Sequence, residues 1–297
     1  MKELFKPRSV AVIGASREPG KVGYVILNNI IESGYRGEIY PVNPRADKIL
    51  GLNVYKSVME IPGDVDLAII AIPAQYVLDV MEEIGKKGVK YAVIISAGFK
   101  EIGGEGIERE KKVVEIARKY GVRIVGPNCL GIMDLHTPLN ASFTSMPGVK
   151  GGIAFISQSG ALLSAILDWA PRVGVGFSKI VSLGNKADLN EIDFLTYLGE
   201  DPETRVVLLY LESITDGKRF TEISSIVTRK KPVILLKGGV TEAGARAALS
   251  HTGAMAGGLT ALRAALKKAG AIQVSTLSEL FDMAMAFNSQ PIPIGSR

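Results

Sequence analysis

The 297 residues include two histidines and one cysteine, so nucleophilic and proton-transfer chemistry near neutral pH has few places to sit. His251 stands in Ala248-Leu249-Ser250-His251-Thr252-Gly253-Ala254-Met255-Ala256-Gly257, a small-residue stretch between a buried-type strand and an amphipathic helix. Long loops of that kind inside compact domains usually carry function. The strand LLYLE ends in Glu212. A carboxylate beside an imidazole fixes its tautomer and raises its basicity, leaving the other ring nitrogen free to attack phosphorus. Ser157-Gln158-Ser159-Gly160 follows the strand GIAFI and precedes a helix. Those four residues are either plain helix caps or an anion site, since free N–H groups and the helix dipole both favour a phosphoryl group there. His136 reads as structural, and Cys129 as a small wall residue rather than a nucleophile.

A second candidate lies near the start of the chain. Gly14-Ala15-Ser16-Arg17-Glu18-Pro19-Gly20-Lys21-Val22-Gly23 joins the first strand to the first helix. In a doubly wound sheet this turn meets phosphates, which glycines allow to approach the backbone closely. The spacing is not G-x-G-x-x-G, and the second strand ends Pro41-Val42-Asn43-Pro44-Arg45, with Lys48 beyond, where a dinucleotide site expects an acid. Cations there favour an extra ribose phosphate, as in NADP or coenzyme A; the alternative is a purely structural tight turn. Ile72-Pro73-Ala74, Ser96-Ala97-Gly98-Phe99 and Gly126-Pro127-Asn128-Cys129 end further strands. Their small residues leave room for an extended ligand that Ser96 or Asn128 can hydrogen-bond, although such loops commonly carry these residues without any ligand.

These residues need a scaffold, and the rhythm of the chain supplies one. SVAVIGA, EIYPVNP, DLAIIAIP, YAVIISAGF and RIVGPN alternate with amphipathic stretches such as 22–31 and 107–119. That is the pattern of a parallel sheet covered by helices on both faces. The pattern relaxes over 131–149 and restarts with GIAFISQSG, SKIVSLGN, RVVLLYLES, KPVILLKGG and AIQVST. The expectation is an α/β chain with two open, mostly parallel sheets. A Rossmann-like domain covers 1–130, a crossing segment 131–149, a flavodoxin-like domain 150–288, and a linker or tail 289–297.

Composition narrows the functional classes. At 47% apolar and 22% charged the chain is globular, and about 100–200 residues per domain gives two domains. The net charge is +5, from 35 basic and 30 acidic residues spread along the chain, so nucleic acid is not the expected partner. No run approaches membrane-span length and the start lacks a signal-peptide core, so a cytoplasmic protein off the membrane is expected. One cysteine suits a reducing compartment. No metal site is expected in this chain.

The ordered set VAVIGAS, PVNP, GPNCLG, ISQSGAL, YLES and SHTGAMAG resembles the α part of the NDP-forming acyl-CoA synthetases of the ADP-forming acetyl-CoA synthetase type, relatives of succinyl-CoA synthetase. The resemblance runs from about Phe5 to about Phe287. It implies that His251 is phosphorylated, that Glu212 holds it, and that Ser157, Gln158, Ser159 and Gly160 receive the phosphoryl group. It further implies a coenzyme A site using Gly14, Ser16, Lys21, Gly23, Asn43, Pro44, Lys48, Pro73, Ala74 and Ser96, with Asn128 and Cys129 near the thioester. Arg45 competes with Lys48 for the ribose phosphate. The implied reaction is acyl-CoA + ADP + phosphate giving acid + ATP + CoA, with acetate as the default acid. No nucleotide-grasp domain is recognisable, so ADP, ATP and Mg are expected on a β partner subunit in a hetero-oligomer. The chain stops at PIPIGSR, where this type usually continues into a third domain, so it is either a fragment or a short α subunit. The rival readings are a CoA-binding α/β module without turnover of its own, an NADP-dependent oxidoreductase and an interaction scaffold.

Overall fold

The structure, a computed structural model, describes residues 1–144, 146–239 and 259–291. These divide into two compact units: Met1–Pro147 with Val181–Leu189, and the described residues of Gly148–Ile180 and Asn190–Arg297.

In the first unit the chain runs α1 (Lys2–Phe5), β1 (Ser9–Ile13), α2 (Val22–Glu32), β2 (Glu38–Val42), a short hairpin of β3 (Lys48–Ile49) and β4 (Leu52–Asn53), β5 (Leu67–Ile70), α3 (Val77–Lys87), β6 (Tyr91–Ile94), α4 (Glu105–Tyr120) and β7 (Arg123–Val125). Strands β1 and β5 are buried at every residue, as aliphatic runs covered on both faces must be. All neighbours in the order β2-β1-β5-β6-β7 are parallel. Helices α3 and α4 cover one face, with Val77, Met81, Ile84, Val113 and Ala117 in one apolar cluster with Ala68, Ile70, Ala92 and Ile94. Each of the two helices ends in a left-handed glycine with basic residues in its last turn, a favourable end for the helix dipole.

The stretch 131–149 is more regular than its sequence suggests. β8 (Gly131–Asp134) and β9 (Leu139–Ser142) form a buried antiparallel hairpin. Asp134 Oδ1 accepts the N–H groups of His136 and Thr137 at 2.9 and 3.0 Å and so shapes the turn, and Asn29 of α2 donates to the carbonyls of Ser142 and Thr144. Four-residue strands buried on both faces show no alternation to read.

The second unit contains β10 (Lys150–Ser157), α5 (Gly160–Trp169), β11 (Phe177–Ser182), α6 (Glu191–Glu200), β12 (Val206–Leu211), α7 (Gly217–Val227), β13 (Val233–Lys237), α8 (Leu259–Ala269), β14 (Ile272–Val274) and α9 (Leu277–Ser289). β10, β12, β13 and β14 pair in parallel, and β11 flanks β10. Phe281 of α9 packs edge-on against Phe155 and Trp169 at 5.7 and 5.2 Å between ring centres. Lys179 of β11 and Asp201 at the end of α6 form a buried ion pair at 2.9 Å, and Thr204 donates to the same carboxylate at 2.6 Å.

Counted along the chain, the five strands of the first sheet take the order 2-1-3-4-5, and β10 to β14 take the same order, so the strand order reverses once in each set. The crevice at that reversal, outside the carboxyl ends of the strands, is where doubly wound sheets bind ligands. It falls between β1 and β5 in the first unit and between β10 and β12 in the second. Among the described residues no helix is long and apolar enough to cross a membrane.

Candidate functional site

The first crevice is built on close backbone contact. Gly14 follows β1 with φ +91°, its N–H donating to Val42 O at 3.0 Å, and a Cβ there would lie 2.3 Å from Ala71 O. Only glycine fits such a position. A Cβ on Gly23 would lie 1.9 Å from Gly14 O, so the first turn of α2 rests directly on the loop. α2 has no side-chain cap and no acidic residue in its first turn, which leaves its N-terminal dipole uncompensated, as an anion site requires. Ser16 Oγ accepts the N–H of Glu18 at 3.1 Å, and Lys21 pairs with Glu18 at 2.9 Å on the exposed rim. Asn43 shapes the loop: it donates to Ala15 O at 2.7 Å and accepts the Arg45 N–H at 2.7 Å. Pro44, Arg45 and Lys48 are exposed beside it.

The other strand ends line up along the same edge. Pro73 and Ala74 open the short turn before α3, and Ser96 donates to Ile72 O while its carbonyl accepts the Asn128 N–H at 3.0 Å. Asn128 sits at φ +57°, a conformation asparagine tolerates better than most residues. Cys129 is turned inward against Ile94 O, and burial pushes its thiol up to about 12, so it is neutral and walled in. The segment 183–189 lies along 124–127: Asn185, Ala187 and Leu189 donate to the carbonyls of Pro127, Gly126 and Ile124 at 2.9, 3.0 and 3.0 Å. Asn185, 6% exposed, divides its side-chain amide between Glu101 at 2.6 Å and Glu110 at 2.7 Å. Burial pushes Glu101 up, but the bonds from Asn185 and from the Gly98 and Phe99 N–H groups outweigh it and hold its carboxyl below the usual range. Lys100 bonds the Asn185 carbonyl and stands 3.6 Å from Glu110.

In the second unit Ser159 is the N-cap of α5, accepting the Leu162 N–H at 3.2 Å. Ser157, fully buried, donates to Ser159 O and accepts the Ser159 N–H. Gly160 opens the helix, half-buried, with exposed Ala161 beside it and no acidic residue in the first turn. Gln158 reaches across to β12: its N–H donates to Tyr210 O at 2.9 Å, and its Oε1 accepts the N–H groups of Glu212 and Ser213 at 2.9 and 3.1 Å. From the other side Glu191, fully buried at the start of α6, accepts the Thr215 N–H at 2.7 Å. Lys237 bonds the carbonyls of Glu212 and Gly238 at 2.8 and 2.6 Å. A Cβ on Gly238 would lie 3.3 Å from Glu212 Cγ and 2.7 Å from Tyr210 Oη, which places Glu212 beside the point where β13 hands over to Gly238 and Gly239. Burial, then the charge of Glu212, raises the Tyr210 pKa. His251 lies outside the described residues.

The structure thus gathers Gly14, Ser16, Lys21, Gly23 and Asn43 around one loop, Pro73, Ala74, Ser96, Asn128 and Cys129 along its continuation, and Ser157, Gln158, Ser159, Gly160 and Glu212 around a separate crevice. Sequence reading missed Asn185, Glu101, Glu110 and Glu191. Only Glu191, directly after a capping asparagine, carried a local cue. Among the described residues no group of three acidic, histidine or cysteine side chains is placed to hold a metal ion.

Comparisons with known proteins follow the same division. Residues 8–134 match the model of a CoA binding domain, and 150–287 that of a succinyl-CoA ligase like flavodoxin domain. An ADP-forming acetate–CoA ligase I of Archaeoglobus fulgidus is 51% identical over 96% of this chain and 41% of its own length. The α subunit of ADP-forming acetate–CoA ligase II of Pyrococcus furiosus is 51% identical over 99% of this chain and 64% of its own. Among solved structures, an acetyl-coenzyme A synthetase 1 of Ca. Korarchaeum cryptofilum, in complex with phosphate and ADP, superposes with a TM-score of 0.96 at 43% identity, over all of this chain and 64% of that one. The chain therefore spans less than two thirds of each of these relatives.

Proposed function

Because the chain belongs to the ADP-forming acyl-CoA ligase family, as its CoA-binding and succinyl-CoA-ligase-like portion, we propose that it is the α-type part of such a ligase and that its two crevices serve successive steps of one reaction. The observation that carries this reading is the placing of Glu212 and the start of α5 at the reversal of the second sheet, with β13 delivering the chain beside Glu212 just ahead of the His251 stretch.

The chemistry follows from the groups. A phosphate oxygen attacks the thioester carbonyl carbon; the C–S bond breaks and CoA leaves as its thiol, giving an acyl phosphate. A ring nitrogen of His251 attacks the phosphorus; the O–P bond breaks and the acid leaves as its carboxylate. A terminal oxygen of ADP then takes the phosphoryl group, breaking the N–P bond and giving ATP. The histidine divides one difficult transfer into two. Phosphoryl transfer is governed by positioning and charge stabilisation. The α5 start supplies N–H donors and a helix dipole for the phosphoryl oxygens, and Glu212 supplies the charge that stabilises a cationic imidazole. In the first unit the Gly14 to Gly23 loop and the bare start of α2 receive the CoA pyrophosphate, with Arg45 and Lys48 as cations for the ribose phosphate. What supports the fit is charge and free backbone: the start of α2 carries no side-chain cap and no acidic residue, and Arg45 and Lys48 are exposed beside Asn43. ADP and Mg belong to a nucleotide-grasp β partner in a cytoplasmic hetero-oligomer, where Mg neutralises charge on the nucleotide phosphates.

The test is to incubate the chain with acetyl-CoA, Mg and labelled phosphate. The expected outcome is acid-labile, base-stable label on the protein that is lost in His251→Ala. Tight CoA binding without label, in the chain alone and with a nucleotide-binding partner, would instead make it a binding module without turnover of its own.

A further inference from the structure

Resting on that reading of Glu212, we infer that Gln158 is not a ligand of the phosphoryl group but the positioning residue that sets where the Glu212 carboxylate stands. The backbone N–H of Gln158 and both polar atoms of its side chain point to β12 and the turn after it. Its N–H continues the parallel ladder to Tyr210 O at 2.9 Å, its Oε1 takes the Glu212 and Ser213 N–H groups at 2.9 and 3.1 Å, and its Nε2 lies 3.3 Å from Ser213 Oγ. Two N–H donors converge on one end of the amide, so that end must be the oxygen, and the orientation is fixed by chemistry. The side chain is 8% exposed, so water does not compete for these bonds.

The consequence is geometric. β12 ends at Leu211, where the side chains of neighbouring segments take up the backbone N–H groups that follow. Gln158 does this for Glu212 and Ser213, and Glu191 does it for Thr215. The Glu212 side chain therefore leaves a backbone held by side chains from outside its own strand, which is how a carboxylate is kept in one position. The reacting phosphate is left to the α5 N–H groups.

The test compares four proteins, each assayed as the ligase with its nucleotide-binding partner: wild type, Gln158→Met, Glu212→Gln and the double variant. Gln158→Met keeps length and removes the acceptor. The reading predicts a turnover loss of about tenfold or more with the KM for inorganic phosphate within about twofold of wild type, because an interaction lost only at the transition state leaves KM alone. In the double variant the losses do not multiply, since groups acting through one carboxylate are not additive. Gln158→Glu keeps an oxygen for both N–H groups and is expected to restore most of the turnover. It also carries the decision if Gln158→Met does not fold. A direct phosphate ligand changed to a carboxylate would repel its anion and raise the KM for phosphate about tenfold or more. A raised phosphate KM in either Gln158 variant, multiplying losses in the double variant, or a Gln158→Glu protein as slow as Gln158→Met would each overturn the inference. Glu212→Gln turning over like wild type would overturn the role of Glu212 itself, and with it this inference. The two failures are therefore distinguishable.

Discussion

A Cβ on Gly23 would stand 1.9 Å from the carbonyl oxygen of Gly14. The loop and the helix it feeds are thus packed backbone against backbone, so a side chain added at Gly23 must displace one of them. Gly23→Ala is expected to lower CoA affinity about tenfold or more, with a stability loss of about 1–3 kcal/mol from overpacking. Calorimetric titration with CoA, beside a melting curve, checks this. Unchanged affinity would detach the loop from the ligand.

Asn185 keeps two carboxylates apart by giving each one hydrogen of its amide. Asn185→Asp puts a third carboxylate between Glu101 and Glu110. Their mutual repulsion raises the folded-state pKa values of the trio above the unfolded ones, so the folded state is penalised only once those groups ionise. The variant is expected to lose about 3 kcal/mol at pH 7 and to approach wild type below about pH 4. In the wild type the sign is opposite: Glu101 is held low, so its contribution is present above its ordinary pKa and is lost as pH falls through the folded value. Thermal melts of both proteins across pH 4–7 (a range of about three units, wide enough to span the titration) read the difference directly.

Removing one member of the Lys179–Asp201 pair leaves a buried charge without its counter-ion. Lys179→Met is expected to cost about 3–5 kcal/mol, and Lys179→Met with Asp201→Asn about half of that or less. Burial pushes Asp201 up, but Thr204 and Lys179 outweigh it and hold its carboxyl below the usual range. The pair's contribution is therefore present at neutral pH and disappears as pH falls below the ordinary aspartate range. Urea unfolding of the single and double variants decides it; equal losses would show that the charge itself is not the cost.

Cys129 supplies a chemical check on the first unit. With its thiol pushed up to about 12 and its side chain buried, it is expected to resist a thiol-directed reagent at pH 8 in the folded protein and to react fully in denaturant. Rapid labelling of the folded protein would place the sulfur at the surface.

Much of this was readable in the residues. SVAVIGA, DLAIIAIP and YLES announce buried strands ending in turn residues, and strand ends are where doubly wound sheets put their chemistry, so Gly14, Ser96, Ser157 and Glu212 could be named from pattern alone. What could not be read was long-range pairing. Asn185 meets Glu101 and Glu110 across 84 and 75 residues, and nothing in the SLGNKAD stretch says which strand it will accompany. Gln158 shows the other limit: its position beside a helix start was legible, but the destination of its amide depends on a strand about fifty residues away. The β8–β9 hairpin was hidden by its own burial, and His251, the residue most plainly marked in sequence, lies outside the described residues.

The passage of 181–189 back to the first unit means that neither unit is a contiguous stretch of chain. A gene fragment ending at Pro147 would encode every strand of the first sheet and still lack the segment that covers Ile124, Gly126 and Pro127. It would expose a bare β-edge, the kind of surface that recruits other chains. No single cut in the chain therefore separates the two units, and a stretch ending at Pro147 is an incomplete unit left with an unfinished side.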